Sequence, residues 1–80
     1  MNPVKKVRID KNLNKTETAE LLNSNYMTIT NVEKGDCLIS TYLTFIRKMS
    51  LEFDDIDDKN LLKEYENWLK DNDIKLKDNS

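Results

Sequence analysis

Apolar residues recur along this chain at helical spacing, in five separate stretches. Val4 and Val7 are three apart, as are Ala19 and Leu22, with Leu21 beside them, and then Ile29 and Val32. Leu38, Ile39, Tyr42, Leu43, Phe45, Ile46 and Met49 form a broader stripe. Leu61, Leu62, Tyr65, Trp68 and Leu69 follow i, i+3, i+4 closely. Such spacing puts side chains on one face of an α-helix. The pattern predicts five helices packed into one all-α domain over residues 1–72.

The polar residues between these stripes mark helix ends. Asn2-Pro3 pairs an N-cap with proline at the first helical position, so a first helix runs to about Lys11. Asn12 can leave it in the left-handed conformation, and Leu13 anchors the link. Asn14 with Glu17 three residues on is a capping box, with Asn in the Ser/Thr place. Asn23-Ser24-Asn25 breaks the next stripe: Asn23 can close one helix and Asn25 cap another. Gly35 closes that helix in turn. Asp36 is expected to cap a fourth helix through about Met49. Leu51, Phe53 and Ile56 are expected to close the core. Asp57-Asp58 caps a last helix over 58–71, and 73–80 reads as a frayed polar tail.

The stretch from Asn14 to Gly35 carries the functional argument. It predicts two short helices joined by a tight turn, with the small Ala19 where Ile29 and Val32 would cross. That is the packing of a helix-turn-helix. Tyr26, Met27, Thr30 and Asn31 fall off the apolar face, on the side open to a partner.

These residues resemble the Cro/repressor-type (XRE) helix-turn-helix family of phage, plasmid and bacterial regulators. The matching positions are Val7-Arg8, Leu13-Asn14, Ala19, Leu21-Leu22, Ile29, Val32-Glu33 and Gly35, and Met49 to Ile56 resembles the close of the family's helical domain. The chain departs from the family in carrying Asn23 where glycine is preferred, and in having Thr18 and Ser24 at usually apolar positions. The resemblance implies a compact five-helix, lambda-repressor-like domain with the helix-turn-helix formed by helices 2 and 3. It implies that Arg8 pairs with Glu33, an ion pair that fixes the angle between helices. It also implies base contacts from Tyr26, Met27, Thr30 and Asn31. Asn suits adenine, Met27 can press on a thymine methyl, and Tyr26 can bond a phosphate or stack along the groove. Met27 and Tyr26 could instead cover apolar surface in a protein interface.

Phosphate contacts are expected from Asn14 and Lys15, where free N–H groups and the helix dipole favour an anion, and from Thr28 and Lys34. The family reads palindromes as two-fold dimers, so double-stranded DNA and a homodimer are the implied partners. The last helix could cover its own core or pair with its copy. The expected interface is Leu51, Phe53, Tyr65, Trp68 and Leu69.

Charge changes the picture in detail. The net charge of −2 is unusual for a DNA binder. Residues 1–50 hold eight positive against five negative side chains, whereas residues 51–80 hold five lysines against ten acids. The acid is concentrated away from the expected DNA face. The chain of 80 residues has 38% hydrophobic residues, a thin core that self-association would help. One cysteine and no histidine exclude an internal disulfide and a cysteine-based zinc site. No nucleophile–base pair, phosphate loop or metal cluster is present, so no enzyme, metal or cofactor is expected. No stretch is apolar enough for a membrane span, which with the lone cysteine points to the cytoplasm. Two other roles fit the same residues: a controller protein of a restriction–modification system, or a helix-turn-helix scaffold that binds protein, as an antitoxin or an inhibitor of a nucleic-acid enzyme.

Overall fold

The computed structural model describes residues 1–75. It contains α1 (Pro3–Asp10), α2 (Lys15–Leu21), α3 (Tyr26–Lys34), α4 (Ile39–Glu52) and α5 (Asp58–Asp71), with no strand among the described residues. The fold is an all-helical bundle in which α2 packs on α3, α4 on α5, α1 on α5 and α3, and α3 on α4.

Local chemistry starts most of these helices. Asn2, Asn14, Asn25 and Asp57 each accept a bond from a first-turn backbone N–H. At Asn14 the box is reciprocal: its side chain accepts from Glu17 N at 2.7 Å, and Glu17 Oε1 accepts from Asn14 N at 2.9 Å.

One device closes four of the five helices. Asn12, Asn23, Gly35 and Asp73 take the left-handed conformation, with φ of 59°, 50°, 76° and 54°. The next N–H then reaches back: Leu13 to Arg8 O, Ser24 to Ala19 O, Asp36 to Asn31 O and Ile74 to Leu69 O. Each bond satisfies a carbonyl that the helix end would orphan.

The core is built from Val4, Ala19, Leu22, Ile29, Val32, Tyr42, Phe45, Ile46, Met49, Leu61, Tyr65 and Leu69. Thr18 is fully buried among them. Its hydroxyl donates to Asn14 O at 2.8 Å, so a polar side chain fits an apolar place without an unmet bond.

Four expectations are corrected. Asp36 does not cap α4: its N–H closes α3, which places it two residues before the N-cap position, Leu38. The helix starts at Ile39 after Leu38, which makes no side-chain cap bond. The same helix runs past Met49 to Glu52. Leu51 therefore sits in its last turn at 78% exposure and does not close the core, which Phe53 and Ile56 do. Asp73 and Ile74, placed in a frayed tail, instead end α5, and Ile74 packs against the core. The rest of that expectation, 76–80, lies outside the described residues.

Candidate nucleic-acid interface

The second helix of the pair is held by its apolar side. Ile29 and Val32 are fully buried, and Ala19 of α2, at 8% exposure, lets α3 approach closely. Successive helical positions turn by about 100°, so the outward side of α3 must carry Met27 and Lys34, flanked by Thr30 and Asn31. Met27 is 64% exposed and Tyr26 54%. Lys34 is exposed, whereas Thr28, Thr30 and Asn31 are half-buried.

The two flanks of α3 differ. Toward α2, Lys15 Nζ lies 3.3 Å from Thr30 Oγ1 and 5.4 Å from the centre of the Tyr26 ring. A residue expected to hold phosphate is thus gathered with two residues expected to read bases. Asn14 stands beside it with Oδ1 engaged as a cap. The Glu17 carboxylate of the capping box shares this helix end, so an anion there meets Lys15 and Glu17 together.

Toward α4, Thr28 opens on a polar cleft with Ser24, Asn25, Thr41, Thr44 and Lys48. Asn31 lines the adjoining hollow with Thr28 and Thr41. Sequence reasoning missed the α4 side of this cleft. Its signal was present: Ser40, Thr44 and Lys48 recur every four residues, opposite the apolar stripe of α4. Lys48 Nζ also donates to Asn23 O at 3.3 Å, a cation placed at the C-terminal end of α2.

Three side chains fix the far end of α3. Arg8 Nε and Nη2 donate to the two Glu33 carboxylate oxygens at 2.6 and 3.1 Å, and Nη1 donates to Leu13 O at 3.0 Å. The side chains are 12% and 6% exposed. The bond to Glu33 raises the Arg8 pKa above its ordinary value. Asn2 Nδ2 donates to Val32 O and Glu33 O, and the Tyr65 hydroxyl donates to Val32 O at 2.8 Å. Helices α1 and α5 thereby hold α3 by its C-terminal carbonyls.

Compared with known proteins, the chain matches no family model, no curated protein and no solved structure.

The expected dimer residues are mostly spent on the chain's own core, which corrects that reading of α5. Tyr65 is fully buried, its ring 4.7 Å from Tyr42 and 5.8 Å from Trp68. Leu69 is 4% exposed, and Trp68 is half-buried against the core. Phe53 lies under Lys11, whose Nζ is 5.1 Å from the ring centre. Lys11 also pairs with Asp55 and holds its carboxyl below the usual range. Of the five, Leu51 alone is largely exposed. Cys37 is half-buried, with its Sγ 3.7 Å from the Tyr65 hydroxyl. Among the described residues no group of His, Cys, Asp or Glu is gathered as metal ligands would be, and no helix is long and apolar enough to cross a membrane.

Proposed function

We propose that this chain is a sequence-specific DNA-binding transcriptional regulator, a repressor of phage, plasmid or mobile-element type that reads a palindromic operator as a dimer. The observation that carries this reading is the two-sidedness of α3. Its apolar side is locked by Ile29 and Val32 and its C-terminal end by Arg8, Asn2 and Tyr65, while Met27, Thr30, Asn31 and Lys34 face outward. A rigid helix with a polar outward face is what major-groove reading needs.

In this reading Asn31 and Thr30 bond base edges and Met27 meets a thymine methyl. Lys15, Asn14, Thr28 and Lys34 hold the backbone. The half-buried Lys15 amine, held over Tyr26 and against Thr30, couples the backbone contact to the base-reading residues. Thr41, Thr44 and Lys48 extend the polar surface beyond α3.

The test is fluorescence anisotropy with duplex DNA from upstream of the chain's own gene, at two salt concentrations, against scrambled DNA. Binding should be sequence-selective and should weaken steeply with salt. Asn31→Ala should cost about 1–3 kcal/mol at one base pair, while Lys15→Ala should weaken all sequences alike. Binding that ignores sequence, or that neither substitution changes, overturns this assignment of the surface.

A further inference from the structure

The outward flanks of α4 and α5 leave a groove floored by Leu43, Ile46 and Leu62. It continues along α5 into a second hollow that shares Leu62 and Lys59. Leu43 is 41% exposed there and Leu62 half-buried, so the floor is apolar and open.

The rim has an unexpected sign. Residues 51–80 carry twice as many acids as lysines. Yet Lys59, Lys63 and Lys70, the three lysines of α5, all border this groove, while Glu64 and Asp71 of the same helix do not. Arg47 of α4 shares the first hollow with Lys59, while Lys63 and Lys70 border the second. None of these four cations joins an ion pair among the described residues. Of the two acids on the rim, Glu66 already accepts the Tyr42 hydroxyl at 2.9 Å. Asp58 lies in the first turn of α5, where the helix dipole favours it.

Four cations with no ion pair among the described residues, set around an apolar floor, select an occupant that is acidic and apolar at once. A second copy presenting the same groove would oppose cation to cation. A nucleic-acid backbone would answer the charge and leave the leucine floor unused. We propose that this groove docks an acidic amphipathic helix of a partner protein. Its apolar stripe lies on Leu43, Ile46 and Leu62, and its carboxylates meet Arg47, Lys59, Lys63 and Lys70. The inference does not depend on what α3 binds.

A synthetic helical peptide of about fifteen residues, four turns long, tests it. The peptide carries leucines along one face and glutamates beside them; a twin carries lysines in place of the glutamates. Each is titrated into the 15N-labelled full chain. The glutamate peptide should shift the amides of Leu43, Ile46 and Leu62 and bind more tightly than its twin. The exposed double variant Lys59→Glu/Lys63→Glu, with helix content unchanged by circular dichroism, should weaken the glutamate peptide roughly three- to tenfold and strengthen the twin. Equal binding of the two peptides overturns the proposal, as do shifts confined to other residues. So does a dimer of the chain alone whose formation protects Leu43 and Leu62, or duplex DNA that shifts the same amides.

Discussion

Asn2 and Val32, thirty residues apart, are joined by one side chain that serves two helix ends. Asn2 Oδ1 accepts from Val4 N at 2.8 Å and from Lys5 N, starting α1. Its Nδ2 donates to Val32 O at 3.1 Å and Glu33 O at 2.9 Å, finishing α3. If Asn2 were only a cap, Asn2→Asp would be neutral, because Asp caps as well as Asn. With the amide committed to α3, Asp removes two donors and sets a 4%-exposed carboxylate against carbonyl oxygens. The expected loss is about 2 kcal/mol, measured by urea unfolding; unchanged stability would exclude the double role.

The Arg8–Glu33 pair should show a strong asymmetry between breaking and replacing. Arg8→Met leaves Glu33 charged, nearly buried and unpaired, at a cost of about 3 kcal/mol. The double variant Arg8→Met/Glu33→Leu removes both charges and should recover most of that loss. Arg8→Lys should behave more like the single break, since an ammonium cannot reproduce the two-pronged bond and the third bond to Leu13 O. Additive single and double effects in a thermal-unfolding cycle would contradict this coupling.

Gly35 is constrained twice. Its φ of 76° disfavours any side chain, and an added Cβ would lie 2.8 Å from Ile74 Cδ1 and 2.9 Å from Trp68 Cζ3. Gly35→Ala should therefore cost about 2–4 kcal/mol, the sum of left-handed strain and overpacking. Asn23→Gly, at a left-handed residue that is exposed, should stay within about 0.5 kcal/mol of the parent: relief of strain offsets the added freedom of the unfolded chain. Chemical denaturation of the two variants separates the cases; equal effects would mean that the contact with α5 is not tight.

Alkaline pH should unfold the chain through its buried tyrosines. Burial, then the bond to Glu66, raises the Tyr42 hydroxyl; burial, then the bond with Cys37, raises that of Tyr65. The fold favours the protonated form of both. Their contribution is complete below the ordinary value of 10.0 and is lost as pH rises above it. Helix content followed with tyrosinate absorbance should fall together above that pH, and Tyr65→Phe should blunt the transition. Helix loss that precedes any tyrosinate signal would assign alkaline unfolding to other groups.

The parts legible in the amino-acid order were those with a local cause. A cap and its N–H are two or three residues apart, so Asn2, Asn14, Asn25 and Asp57 could be read directly. So could the left-handed closers Asn12, Asn23 and Gly35, and the buried faces set by Val4, Ala19, Ile29, Val32 and Met49. The outward side of α3 followed by subtraction.

Tertiary structure decided what local spacing leaves degenerate. The stripe of Tyr65, Trp68 and Leu69 suits a second chain or the chain's own core equally, and contacts with Tyr42 and Val32 choose the core. Leu51 belongs to the same apolar class as Phe53 and Ile56, yet the extra turn of α4 carries it outward. The cleft around Lys48 and the basic groove beside Leu62 each combine side chains of different helices. Periodicity along one helix records which residues share its face, and only the packing of helices records which faces meet.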